Sequence, residues 1–228
     1  MGFYEDAIRA CRFDEPVDQT ELAKLLLNRA EAEWRIGELQ KAGDTFFEAA
    51  RSARESGVPT LLARAAIGTC WGSWESFDAD RVEQAELLEE ALATSGEEDG
   101  PLRAKLMAEL AHILYSGGGC SERAIRLVED AHAMALRLED PDTDFTVLTA
   151  TQCFMVERQN ADRRMASGNR CVEIAEKSDD PEDLAEALAW RSVTWLSKGM
   201  CAEADADQAR HALLNKTLPQ VTVAAAAM

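Results

Sequence analysis

Residues 121–141 read SERAIRLVEDAHAMALRLEDP, and their apolar positions recur at steps of three and four: Ala124, Leu127, Val128, Ala131, Met134, Ala135 and Leu138. That spacing places them on one stripe of an α-helix, the side it buries. Glu139-Asp140-Pro141 ends the stripe, because proline lacks the backbone donor of a helix interior yet fits the first turn of the next helix. Pro141 therefore marks a boundary between helices.

The other prolines mark the same kind of boundary. Pro16, Pro59, Pro101, Pro141, Pro181 and Pro219 recur with a period near 40 residues. Between them lies a second series of turn signals at Gly37, Phe77-Asp78, Gly117 to Gly119, Gln159-Asn160 and Gly199. Each period thus holds two helices and a tight turn. A helical hairpin cannot bury its own apolar faces, so a repeat of this length predicts stacking into an all-α superhelix. The expected architecture is an α-solenoid of about five helix pairs over residues 16–218, preceded by a helical stub at 1–15 and followed by a tail at 219–228.

Local signals refine this plan. Asp18 is placed to cap the first helix of repeat one, and Gly57 to end its second helix in the left-handed conformation. Gly68 and Gly72 interleave with Trp71 and Trp74, which predicts close helix packing beside bulky neighbours. Glu48-Ala49-Ala50, Glu89-Glu90-Ala91, Glu129-Asp130-Ala131 and Glu173-Ile174-Ala175 recur in the second helices. The alanine suits a close approach between repeats, and the glutamate reads as solvated surface.

Composition narrows the function. Forty-two acidic residues against 24 basic ones give a net charge of −18. Affinity for phosphate backbones rests on Lys and Arg displacing counterions, so this balance argues against direct DNA or RNA binding. No apolar run reaches the roughly 18–20 residues that cross a bilayer, and the first residues lack a secretory pattern, which predicts a cytoplasmic, non-membrane protein. The six cysteines are dispersed without a CxxC pair and read as buried free thiols. His112, His132 and His211 fall on different helices with no ligand-like spacing, so neither a metal nor a cofactor is expected. Asp142 and Asp144 follow Pro141, where acids offset the helix dipole more readily than they serve as an acid–base pair. No phosphate loop or nucleophile motif occurs, and no catalytic residue is assigned.

The turn glycines, small-residue positions and boundary prolines resemble the tetratricopeptide repeat (TPR), lengthened to about 40 residues. Three stretches resemble more specifically the helical-repeat region of large bacterial regulators that pair an ATPase with a LuxR-type DNA-binding domain. These are 25–33 (LLLNRAEAE) with Gly37, 87–92 (LLEEAL) followed by Pro101-Leu102-Arg103-Ala104, and Asp180-Pro181 through Trp190-Arg191. The ATPase loop and the recognition helix of such regulators are absent, so the resemblance implies only a sensor or scaffold portion, a fragment or a stand-alone remnant of a longer array.

The aromatics supply the candidate site. All five tryptophans fall on expected first helices, which line the inner face of a solenoid. Trp71, Trp74 and Trp190, with Arg64, Arg158 and Arg191, would form a groove for a protein or peptide segment or a small-molecule effector. The competing reading has Trp71 and Trp74 filling core, and of the last two tryptophans Trp195 fits the core stripe while Trp190 does not. Uncapped terminal helices predict self-association into a homo-oligomer. The expected function is a non-enzymatic interaction or ligand-sensing module in transcription regulation; the alternative is an enzyme built on a solenoid and acting on a small metabolite.

Overall fold

The computed structural model describes residues 2–13, 15–71, 78–118, 121–152, 161–216 and 218. They form eleven helices and no strand: α1 (Gly2–Phe13), α2 (Gln19–Arg35), α3 (Leu39–Ser56), α4 (Pro59–Gly68), α5 (Asp78–Thr94), α6 (Pro101–Gly118), α7 (Glu122–Leu138), α8 (Pro141–Ala150), α9 (Ala161–Ser178), α10 (Pro181–Ser197) and α11 (Cys201–Leu214). Five hairpins, α2–α3 through α10–α11, follow the unpaired α1. The tail at 219–228 lies outside the described residues.

The boundaries use one local grammar. Gly57, Glu139 and Asp179 each adopt a positive φ (67°, 52° and 57°) two residues before a proline, and that left-handed residue stops the preceding helix. The residue between is extended, and at two boundaries it caps the next helix: Asp140 accepts from the Thr143 amide and Asp180 from the amides of Glu182 and Asp183. Asp18 caps α2 in the same way, accepting from Thr20 and Glu21. One expectation shifts. Gly117 and Gly118 belong to α6 rather than to a linker, and Gly119 lies outside the described residues.

Each first helix packs on its hairpin partner, and α2, α4, α6 and α8 each pack on the next in that series; α4 touches α2, α3, α5 and α6. Such a helix is buried on several sides, and every residue from Leu106 to Ile113 of α6 is buried. The second helices bury one stripe only, as in α7, whose buried residues are Ala124, Leu127, Val128, Ala131, Met134 and Ala135. Helix α8 is the hinge between two core clusters. Its Val147 and Ala150 join the N-terminal one, while Phe145 and Leu148 join Cys171, Val172 and Leu188 in the C-terminal one.

Gly68 permits a contact that no other residue would. A Cβ there would lie 2.3 Å from the ring of Phe46, itself 1% exposed. Trp71 closes the same ring from the side, 5.3 Å away and edge-on, and leans on Trp34 at 5.2 Å. Gly72 lies outside the described residues.

The glutamates of the first two motifs are not merely solvated, whereas Glu129 and Glu173 are exposed as the sequence suggested. Glu48 pairs with Arg12, Glu90 with Arg54 at 2.6 Å, and Glu89 with Arg123 at 2.5 Å. Glu176 pairs with Arg210 at 2.7 Å in the same manner. The Arg12 pair joins α1 to α3 and the others join second helices of consecutive repeats, so residues one repeat apart in sequence are brought side by side by the stacking. Exposed pairs of this kind contribute roughly 0.2–1 kcal/mol each, setting alignment more than stability.

Cys11, Cys70 and Cys171 are buried free thiols, and burial pushes the Cys70 thiol well up. Cys201 is exposed, contrary to expectation, and Cys120 and Cys153 lie outside the described residues. No helix among the described residues is long and apolar enough to cross a membrane.

Candidate functional site on the first-helix layer

Of the six residues expected to form a groove, the four described ones do not come together: Arg64 and Trp71 belong to the α4 region, Trp190 and Arg191 to α10. Arg64, on α4, reaches back to Glu31 of α2 at 2.7 Å and braces two first helices. Trp71 lies in the turn after α4, not within a helix; one side packs on Trp34 and Phe46, and 38% of it stays exposed. One face of Trp71 thus fills core, and the other is exposed. Arg191 is held inside the last hairpin: its guanidinium donates twice to Asp207 of α11, at 2.7 Å each, and its stem covers Gly168 of α9. The Trp195 indole donates to the same Asp207 carboxylate at 3.1 Å. Trp74 and Arg158 lie outside the described residues.

Trp190 leads elsewhere. Its indole donates to Glu186 one turn earlier, and Asp183 shares that face of α10. Glu186 faces Glu109 of α6, a residue only 9% exposed. Asp183 faces Asp142 of α8 and Lys105 of α6, and Lys105 Nζ bonds Asp142 at 2.5 Å. Glu109, Asp142 and Asp183, from three successive first helices, therefore lie around Lys105, and Glu186 lies within range of Glu109 and Asp183. Cys70, just beyond α4, also lies within range of Glu109, so the cluster occupies the middle of the first-helix layer.

The protonation of this cluster records its crowding. Burial, and next the Glu186 charge, push the Glu109 carboxyl up to about 8, with Lys105 opposing. Burial and then Asp183 push Glu186 up to about 7, and burial with Asp180 and Asp142 pushes Asp183 up to about 6. Desolvation disfavours an ion, and a like charge nearby disfavours it further. One turn on from Glu109, burial holds His112 down at about 4. Among the described residues no group of three or more His, Cys, Asp or Glu is placed to hold a metal ion.

Two open recesses lie at the ends of the array. One of about 580 Å³ sits between α1 and α2, lined by Ile8, Arg12, Phe13 and Arg29; one of about 360 Å³ adjoins Pro181, Leu184 and Leu214. Neither contains a residue expected from the sequence to form the groove.

A crystal structure of BtubC (BKLC) from P. vanneervenii matches with a TM-score of 0.60 at 21% identity, covering 94% of this chain and 87% of that one. A protein from Podosopora anserina assigned as a kinesin light chain, with nearly identical TPR-like repeats, matches with a TM-score of 0.51 at 16% identity, covering 85% of this chain and 94% of its own. The fold is a TPR-like α-solenoid. No family model matches the sequence, and no curated protein does. The solenoid resembles these two structures in how its repeats stack, and at this level of identity the likeness concerns architecture alone.

The sequence pointed to the first-helix layer and to Trp190, but missed Lys105, Glu109, Asp183 and Glu186. Lys105-x-x-x-Glu109 and Asp183-x-x-Glu186-x-x-x-Trp190 each carry helical spacing. That places their polar residues on one face per helix, a signal available without coordinates.

Proposed function

We propose that this chain is a non-enzymatic protein-interaction scaffold that receives a segment of its partner on the first-helix layer, between α6, α8 and α10. The reading rests on one observation: polar and aromatic side chains from three successive repeats meet at one place, and Glu109 among them forms no hydrogen bond or ion pair with the described residues. A stacked hairpin array offers such a surface because each repeat adds one helix to it. The likeness of three stretches to the repeat region of LuxR-type regulators favours a bacterial, cytoplasmic, regulatory setting, with the chain acting as their scaffold portion. Phe3 and Phe13, 79% and 84% exposed on α1, are the surface through which copies of the chain would associate.

The test is affinity capture from extracts of the source cells with the native chain, with Trp190→Ala, and with Leu136→Ala, which alters a side chain 72% exposed on α7. Capture is lost with the first variant and kept with the second, while the far-ultraviolet circular dichroism of both matches that of the native chain. Loss with Leu136→Ala alone would move the site to the outer layer.

A further inference from the structure

We infer that the cluster formed by Lys105, Glu109, Asp142, Asp183 and Glu186 is a docking site for a lysine- or arginine-bearing segment of a partner protein. This rests on the scaffold reading and specifies the charge of what the scaffold takes.

The first ground is charge balance. Among the described residues the four carboxylates of the cluster are accompanied by one ammonium, and Lys105 Nζ is already engaged by Asp142. The second is the state of Glu109. It is 9% exposed and has neither a hydrogen bond nor an ion pair among the described residues, and the charge it feels most is the like charge of Glu186. A buried carboxylate left so costs stability unless a cation completes it. Among the described residues the cation whose charge it feels is Lys105, on its own helix and bonded to Asp142; Cys70 lies beyond α4, and Glu186 on α10 is flanked by Asp183, Trp190 and Cys171. The third is Trp190, whose ring on Glu186 stands where it can stack against the stem of an incoming lysine or arginine. The raised protonation of Glu109, Glu186 and Asp183 agrees, since an arriving cation would lower all three and expel protons.

Fluorescence anisotropy tests this with three probes at about 0.15 M salt, where long-range attraction is screened: a labelled peptide alternating lysine and alanine, its counterpart with glutamate for lysine, and spermine as an unlabelled competitor. Two variants each replace two carboxyl groups with amides. Glu109→Gln with Glu186→Gln alters the cluster, and Glu97→Gln with Glu98→Gln alters the exposed loop between α5 and α6. The lysine peptide binds, the cluster variant weakens it about tenfold, the loop variant leaves it within about twofold, and affinity rises from about pH 6 to pH 8. Binding also changes tryptophan emission, and Trp190→Phe removes that change.

Equal weakening by both variants would overturn the inference, because only overall charge would then be at work. So would displacement by spermine at concentrations where the lysine peptide itself does not bind. Preference for the glutamate peptide at the cluster, or no peptide binding while Trp190-dependent capture persists, would overturn the inference and leave the scaffold reading standing. Loss of Trp190-dependent capture while the lysine peptide still binds the cluster would do the reverse.

Discussion

Two buried glutamates on first helices, Glu33 in α2 and Glu109 in α6, have opposite surroundings. Glu33 is fully buried, and its carboxylate is completed on all sides: Arg29 Nε at 2.8 Å, Thr45 Oγ1 at 2.6 Å and Lys41 Nζ at 3.3 Å. Arg29 comes from its own helix, whereas Thr45 and Lys41 come from α3, so the group bolts the first hairpin together. Glu109 is nearly as buried, yet its largest electrostatic neighbour is another carboxylate. A buried charge whose partners are all supplied by the fold serves the fold. One whose partner the fold withholds stores a cost that something outside the chain can relieve.

The contrast is largest in stability. Glu33→Ala strands Arg29 and leaves the Thr45 hydroxyl without its acceptor, costing about 3 kcal/mol; Lys41, 43% exposed, regains water and moderates the loss. Urea unfolding followed by circular dichroism reads the change as a lower midpoint with an unchanged slope.

Glu109→Gln should move stability the other way, by about 1–2 kcal/mol at pH 8. The sign follows from linkage. A carboxyl whose folded value is raised to about 8 stabilises fully below its ordinary range near 4.5, and that contribution is lost as pH rises through 8. His112, held down at about 4, acts oppositely, its contribution being lost as pH falls from 6.5 towards 4. The native chain should therefore lose stability relative to Glu109→Gln as pH rises from about 4.5 to 8, and His112, present in both chains, cancels from the difference. Thermal melts at half-unit intervals measure the gap. A gap that stays constant with pH would mean that Glu109 carries no unrelieved charge.

The difference between the two glutamates was only partly legible in the sequence. Proline spacing, helical stripes and the caps at Asp18 and Gly57 fixed which residues share a helix and where helices stop, because those signals are local. Glu33 falls at helical spacing from Leu26 and Ala30, and it is buried with them. Glu109, however, meets Glu186 across 77 positions, and which faces of α6, α8 and α10 converge depends on how the hairpins stack, which no local pattern encodes. The arginines show the same limit. Arg191 stands beside Trp190 in sequence, but Asp207 of α11 claims it. Trp71 continued a helical pattern, but α4 ends at Gly68, and the ring turns in to cover Phe46.

The exposed ladder gives the smallest effect and the reference for the other two. Arg54 donates to Glu90 with ideal fork geometry, at 2.6–2.8 Å, and the bond lowers the Glu90 carboxyl and raises the guanidinium. Both side chains keep about two-fifths of their surface in water, at 44% and 38%, so solvent and salt already stabilise them apart. Arg54→Ala should cost about 0.5 kcal/mol at low salt and less at 1 M. The geometry here is as good as at Glu33, and only burial differs. If Arg54→Ala proved as damaging as Glu33→Ala, hydrogen-bond geometry rather than burial would set the worth of a charge in this fold, and the argument that singles out Glu109 would lose its footing.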